Sequence, residues 1–188
     1  MKLRNATERI IALLLALILF PIVLVISLLI KLSSSGDIFF WSKRVGIENK
    51  IFLMPKFSTM RPDTPKVATH LLHDPEQYYT RVGSFLRKTS LDEIPQLLSI
   101  LKGDMSFIGP RPALFNQDDL IKLRTEKGIH QLKPGITGWA QVNGRDEIPI
   151  SEKVALEEEY LHNQSWRIDL YILWLTLVKV IIRDNITH

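Results

Sequence analysis

The chain has 188 residues, a formal net charge of +4 and no cysteine, and its pI is about 9.3. This length suits one domain with a modest core, and the lack of cysteine excludes disulfides, thiolate nucleophiles and thiolate metal sites. The positive charge favours an anionic partner, which could be nucleic acid, anionic lipid or a phosphorylated substrate.

The N-terminal segment is apolar enough to enter a membrane. Residues 10–30 read IIALLLALILFPIVLVISLLI, with no charge and Ser27 as the one polar side chain. A membrane-crossing helix needs about 20 such residues. Because no small-residue cleavage pattern follows, the segment is predicted to be a retained anchor rather than a signal peptide.

The orientation of this anchor is less well determined by the sequence. Basic residues flank both ends, so the positive-inside signal is nearly balanced. Pro21 lies at the middle of the run and lacks the N–H that would bond the Leu17 carbonyl, so a bend is expected there. Two alternatives follow: a kinked spanning helix, or a re-entrant helix that returns to the same side of the membrane.

Short strands and helices are predicted between the anchor and the middle of the chain. Residues 38–60 contain β-branched and aromatic runs around GIENK and predict a hairpin. Residues 61–80 are rich in turn residues and predict a loop with a short helix. Helices are predicted over 96–102 and 117–128, each ended by a glycine.

The C-terminal half combines a turn-rich loop with two helices. Residues 133–145, KPGITGWAQVNGR, have the composition of a functional loop, with a tight hairpin as the alternative. Residues 150–163 predict a charged helix. Residues 166–184 predict a helix whose aromatic and basic residues suit a membrane interface or the anchor, with core packing as the alternative.

These elements indicate an α+β fold, a small helix-rich and membrane-associated domain with short strands. Residues 1–35 form the membrane helix, and residues 36–188 form the domain that would carry any catalytic site.

The stretch TSLDEIPQLLSILKGDMSFIGPRP, residues 89–112, holds adjacent carboxylates. One interpretation of SLDE is a capping box, with Ser90 as the N-cap and Glu93 reaching back to it. Pro95 disfavours that interpretation, because it would then be the fifth helical residue. A start at Asp92 puts the proline among the first four positions, where no donor is needed.

Both carboxylates would then lie at the mouth of a helix, which stabilises anions. Neighbouring residues on a helix point about 100° apart, so Asp92 and Glu93 should have different roles. One can attack a phosphoryl group while the other binds a metal. Arg87 and Arg111 are suited to clamp phosphate, and the prolines beside Arg111 restrict its backbone.

Three motifs carry a resemblance to a known family. The segments KFSTM, LRKTSLDEIPQLLSILKGDMSFIGPRP and KPGITGWAQVNGR follow the N-terminal apolar segment. Together they resemble the bacterial sugar transferases that are monotopic polyprenol-phosphate phosphoglycosyl transferases. The resemblance covers essentially the whole chain and corresponds to the small catalytic-core form.

The resemblance implies transfer of a phospho-sugar from a UDP-sugar to undecaprenyl phosphate, with release of UMP. It implies a ping-pong reaction through a covalent aspartyl intermediate, with Mg²⁺, as the first membrane step of exopolysaccharide or other glycoconjugate biosynthesis. The catalytic domain would lie on the cytoplasmic face of the bacterial inner membrane, in contact with lipid. The family's Asp-Glu dyad falls on Asp92, the implied nucleophile, and on Glu93, the implied magnesium ligand.

Further site residues follow from the same resemblance. Lys56, Arg87 and Arg111 match its phosphate-binding positions, and Arg145 is a weaker candidate for nucleotide contacts. Pro21 matches the bend of the re-entrant helix. The identity of the sugar and the oligomeric state stay open, with a homodimer as one alternative.

Two other classes of protein compete with the enzyme. A non-enzymatic, membrane-anchored basic adaptor would explain the charge and the anchor, but it has no use for Glu93 or for Arg111 between prolines. A nucleic-acid binder would need basic residues along one face, whereas acidic residues are mixed throughout this chain. We therefore expect no nucleic-acid partner.

Overall fold

The computed structural model describes residues 2–65, 73–144 and 148–182. Its α-helices are α1 (Lys2–Ser33), α2 (Arg81–Lys88), α3 (Leu97–Lys102), α4 (Asp118–Glu126), α5 (Trp139–Asn143), α6 (Ile150–Asn163) and α7 (Trp166–Ile182). Its strands are β1 (Phe39–Val45), β2 (Ile51–Phe57), β3 (Ser106–Ile108) and β4 (Gly135–Thr137). Short 3-10 helices cover Ile47–Asn49, Pro75–Tyr78, Leu91–Gln96 and Ile129–Gln131. The predicted α+β class is confirmed.

Strands β1 and β2 form the predicted hairpin. They pair antiparallel from Phe39 opposite Phe57 to Val45 opposite Ile51. The connecting turn holds Glu48 and Asn49 at positive φ. Because side chains alternate between the faces of a strand, one face of the hairpin carries Arg44 and Lys56 together.

The tight hairpin considered for residues 133–145 is not formed. Residues 135–137 are instead β4, which pairs parallel with β3, and α5 follows directly. Gly138 permits this close approach, since a Cβ there would lie 2.1 Å from the Gly109 carbonyl oxygen. A parallel partner distant in the chain cannot be read from local turn chemistry.

The other predicted helices are confirmed with small shifts at their ends. Helix α3 ends before Gly103, which is left-handed with φ 94°. Helix α4 ends two residues before Gly128, which has φ 74°. Helix α6 has the predicted bounds.

Helix α1 packs one face against the domain. Ala12 contributes to a core cluster with Leu97 and Ile100, and Ile30 contributes to another with Phe57 and Leu86. The remaining faces are apolar and exposed. These exposed side chains are Ile10, Ile11, Leu13, Leu14, Leu17, Ile18, Phe20, Ile22, Leu24, Val25, Leu28, Leu29 and Leu32. By length and composition, Arg4–Ser33 could cross a membrane, and the exposed surface suits membrane association.

The start of α1 is held by charged and polar contacts, which we call the N-terminal polar cluster: Arg4, Glu8, Ser106, Tyr160 and Asp169. The Arg4 guanidinium lies 3.1 Å from Glu8 Oε1 and 3.3 Å from Asp169 Oδ2. Ser106 Oγ donates to Glu8 Oε1 at 2.7 Å, and Tyr160 Oη donates to Asp169 Oδ1 at 2.7 Å. Both ends of α1 are therefore bound to the same folded domain.

Pro21 lies inside α1, which continues as one helix on both sides of it. The flanking side chains Leu19 and Val23 pack on the two core clusters beneath the helix. The chain is thus not divided into two helices at Pro21, and the smaller bend expected there stays a prediction.

Helix α7 combines the two roles considered for residues 166–184, of which the structure describes residues 166–182. Ile172 is fully buried and packs with Ile108 and Tyr160. Trp174 is exposed and stacks on Tyr171, with 5.9 Å between ring centroids. One face of α7 therefore belongs to the core, while the aromatic outer face suits a membrane interface.

Candidate active site

Asp92 and Glu93 lie on the 3-10 helix Leu91–Gln96, which we call the dyad turn. The prediction of an α-helix starting at Asp92 is wrong in two respects. The helix is of the 3-10 type, and it starts one residue earlier, at Leu91. The capping box is not formed either, since Ser90 is left-handed and its side chain makes no hydrogen bond to the start of the helix. On a 3-10 helix neighbours point about 120° apart, so the two carboxylates still face different directions.

Lys56 bridges the two carboxylates from strand β2. Its Nζ donates to Glu93 Oε1 at 2.6 Å and lies 3.8 Å from Asp92 Oδ2. The side chains are 17%, 22% and 10% exposed for Lys56, Glu93 and Asp92. Charge-assisted hydrogen bonds of this kind are short and strong. Lys56, predicted to bind phosphate, therefore lies on the dyad itself.

Arg111 adds a second cation to the same carboxylate, with Nη2 3.7 Å from Glu93 Oε1. Burial would raise the pKa of Glu93. The charges of Lys56 and Arg111, the Lys56 hydrogen bond and the charge of Arg44 outweigh burial and lower this pKa to about 2. Glu93 is therefore a carboxylate anion at neutral pH, as a metal ligand or electrostatic partner must be.

Arg87 reaches the region from α2 and is held in place by two residues that the sequence did not indicate. Its Nε donates to Thr59 Oγ1 at 2.9 Å and its Nη1 to Tyr79 Oη at 2.9 Å. The guanidinium also lies over the Tyr79 ring, 4.5 Å from the centroid. Within the described part of the chain, these contacts place the Arg87 guanidinium against Thr59 and Tyr79, beside the dyad.

The cleft at the dyad contains further residues that sequence reasoning missed. Its lining includes Arg44 and Gln96 beside Glu93 and Arg111. The alternation along the hairpin was the available signal for Arg44, because it shares a face with Lys56. Arg145, predicted to contact the nucleotide, lies outside the described residues.

Comparison with known proteins identifies the family of this chain. The sequence profile of the family described as bacterial sugar transferase matches residues 1–183. The chain belongs to the bacterial sugar transferase family. Among its relatives is the "Uncharacterized sugar transferase EpsL" of Bacillus subtilis, 43% identical over 159 residues, which are 84% of this chain and 76% of the relative.

Two further relatives carry more specific names. The "UDP-glucose:undecaprenyl-phosphate glucose-1-phosphate transferase" of Escherichia coli is 39% identical over 94% of this chain. The "Exopolysaccharide production protein ExoY" of Sinorhizobium fredii is 34% identical over 94% of the chain and 84% of its own length. The chain spans only 40% of the length of the Escherichia coli relative.

The lowered pKa of Glu93 predicts how stability depends on pH. Because the folded pKa lies below the ordinary value, ionised Glu93 stabilises the fold at pH above about 4.5, and this contribution is lost as pH falls towards 2. It amounts to on the order of 3 kcal/mol at most. Glu93→Gln should therefore lower the melting temperature at pH 7, and the difference from wild type should shrink as pH falls towards 2.

Thermal denaturation of the detergent-solubilised protein between pH 7 and pH 2.5 measures this difference. Glu152→Gln, an exposed position on α6, is the matched control and should follow the wild type throughout. A gap between Glu93→Gln and wild type that stays constant with pH would contradict the assignment.

Proposed function

We propose that the protein transfers a sugar phosphate from a UDP-sugar to undecaprenyl phosphate and releases UMP. The observation that carries this proposal is the pair Asp92 and Glu93, bridged by Lys56 and flanked by Arg111. Printed names of relatives support it, since one is named for transfer between UDP-glucose and undecaprenyl phosphate and another for exopolysaccharide production. The product would enter glycoconjugate synthesis at its first membrane step.

The reaction takes place in two steps at one site. An oxygen of the Asp92 carboxylate attacks the phosphorus that carries the sugar, and the bond from this phosphorus to the bridging oxygen of the diphosphate breaks. UMP leaves with that electron pair. A phosphate oxygen of the lipid then attacks the same phosphorus, frees the Asp92 carboxylate and forms a polyprenyl diphosphate sugar. A covalent intermediate lets a soluble donor and a membrane acceptor use the same site in turn.

The contacts of the two carboxylates support this division of roles. Glu93 Oε1 receives the short hydrogen bond from Lys56 and also faces Arg111, so its electron density is drawn into ion pairs. Lys56 Nζ lies 3.8 Å from Asp92 Oδ2, so its positive charge faces both carboxylates. Once the donor binds, Lys56 and Arg111 can also neutralise its phosphate oxygens.

Mg²⁺ is the cofactor we propose. Among the described residues, no group of three or more histidine, aspartate or glutamate side chains could hold a metal. The donor set of the dyad nevertheless fits this ion, because Mg²⁺ is usually bound by one or two carboxylates together with substrate phosphates and water. Glu93 would hold it, and the ion would neutralise charge on the diphosphate.

The nucleophile assignment predicts the effect of Asp92→Asn. This change keeps the shape of the side chain and removes its nucleophilic oxygen anion, so transfer should fall by about a thousandfold or more. UMP release from UDP-glucose and other UDP-sugars, with undecaprenyl phosphate in detergent, measures the rate. A phospho-sugar adduct found by mass spectrometry on the peptide containing Asp92 would identify the intermediate.

Asp119→Asn, exposed on α4, is the matched control and should keep wild-type activity. If Asp92→Asn retains substantial UMP release, the nucleophile is a different group. If the wild type releases no UMP with any UDP-sugar, the chain is a membrane-anchored adaptor rather than an enzyme.

The metal assignment predicts that EDTA stops transfer and that added Mg²⁺ restores it. The physical reason is that Glu93 and the diphosphate together need a divalent ion to offset their charge. UMP release is measured before and after chelation, with Ca²⁺ as a comparison ion. Full activity in excess chelator would exclude a role for the ion.

The cytoplasmic orientation is also a proposal, and the contacts of α1 support it. A helix of 32 residues is about 48 Å long, yet its N-terminal polar cluster and Ile30, near its C-terminal end, both contact one domain. A perpendicular crossing would carry the charged contacts of Arg4 across the bilayer, at high cost. Both ends of α1 should therefore lie on the same side as residues 31–188, and the proposed use of a soluble UDP-sugar makes that side the cytoplasmic one.

Single cysteines at Lys2 and Ser34, in this cysteine-free chain, test the orientation. Both should resist a membrane-impermeant thiol reagent in intact spheroplasts, and both should react once the membrane is opened. Reaction of the Lys2→Cys site from outside would mean that α1 spans the membrane. Labelling after opening is the control that both sites are accessible.

A further inference from the structure

Arg44 lies on β1, on the face of the hairpin that carries Lys56. Its Nη1 donates to the Pro112 carbonyl oxygen at 3.0 Å. Its Nε donates to Ser42 Oγ at 3.0 Å, and Ser42 is buried. The guanidinium is thus oriented from its own strand and directed at the peptide that follows Arg111.

The segment around Arg111 is attached to the hairpin at neighbouring points. Val45 N donates to the Ala113 carbonyl oxygen at 3.0 Å, and Arg44 forms an isolated antiparallel bridge with Leu114. On the other side, Gly135 N donates to the Pro110 carbonyl oxygen at 2.9 Å. Arg111 is therefore presented by a short segment held between the hairpin and β4.

Of these hydrogen bonds to residues 110–113, the one from Arg44 to Pro112 has a charged donor, whereas those from Val45 and Gly135 come from backbone N–H groups. Hydrogen bonds of a guanidinium are stronger than those between neutral groups. It acts on the carbonyl of Pro112, the residue after Arg111, so its loss would loosen the backbone that sets the 3.7 Å separation between Arg111 and Glu93. Arg44 also lines the cleft beside these two residues, where it adds positive charge facing a diphosphate.

We propose that Arg44 is a positioning residue for the transferase reaction, which holds the segment 110–114 so that Arg111 meets Glu93 and the substrate phosphates. The kinetic part of this inference rests on the proposed function. The structural part, that Arg44 restrains residues 110–114, does not.

Arg44→Lys is the informative variant because it keeps the charge and removes the planar fork that reaches Ser42 and Pro112 together. We expect kcat to fall by about tenfold to a hundredfold, the range that loss of one charge-assisted hydrogen bond supports. Ser42→Ala should give a smaller loss in the same direction. Lys43→Gln is the matched control, since that exposed side chain lies over Phe115, and it should leave kcat unchanged.

A double-mutant cycle separates positioning from general damage. If Arg44 acts through Arg111, adding Arg44→Lys to the Arg111→Ala variant should lower kcat by less than about twofold. Losses that multiply in the double variant would mean that Arg44 acts independently of Arg111, and would overturn the proposal.

Hydrogen exchange of the full-length protein in detergent supplies the readout that does not depend on activity. Arg44→Lys should speed amide exchange in peptides that cover residues 109–117 and leave the exchange rate of α6 unchanged. Lys43→Gln should leave the exchange rates of both regions unchanged. Unchanged exchange over 109–117 would overturn the inference even in an active enzyme. Faster exchange in a chain without transferase activity would instead uphold the restraint and overturn the proposed function.

Discussion

Asp92 and Glu93 are carried into a largely buried position by a single turn of 3-10 helix, and the charge of Lys56 stabilises them there. Two neighbouring carboxylates removed from water would favour protonation unless cations lay close by. Lys56 can supply its charge only when the hairpin packs against the dyad turn, and Arg111 only when the segment between β3 and α4 is correctly placed. The site therefore depends on contacts between parts of the chain that are distant in sequence. Backbone hydrogen bonds and close glycine contacts restrain several of the surrounding loops, as this requirement demands.

Helix α1 is part of this architecture rather than a tether. Ala12 and Ile30 belong to the core clusters that also contain residues of β2, α2 and α3, and the N-terminal polar cluster joins the start of α1 to β3, α6 and α7. One face of α1 therefore completes the domain while the others present apolar side chains. Ile94 of the dyad turn packs on the same two clusters as α1, so the dyad turn lies beside this helix.

Local sequence patterns predicted much of this molecule because the physics behind them is local. The alternation of residues 38–60 predicted the hairpin, Gly103 predicted the end of α3, and the apolar run of residues 10–30 predicted the long apolar helix α1. The absence of a capping box was predicted from Pro95, but the reason was wrong, because Ser90 is the N-cap and Pro95 is the fifth residue of the 3-10 helix. The 3-10 geometry of the dyad turn was missed, because the difference between 3-10 and α-helical turns depends on how the segment packs on β2 and α3.

The sequence by itself indicated the family, a long apolar helix near the N-terminus and a candidate set of site residues. Residue type and spacing indicated Asp92, Glu93 and Arg111, because they specify charge, helix termini and turn chemistry, and the resemblance to the family added Lys56. Only the tertiary structure decided that Lys56 bridges the dyad and that β3 pairs with β4. It also decided that Arg87 donates to Thr59 and Tyr79, and that Arg44 donates to the Pro112 carbonyl in the segment that carries Arg111. Each of these contacts joins residues far apart in the chain. Their formation depends on the packing of the whole domain, which no local pattern encodes.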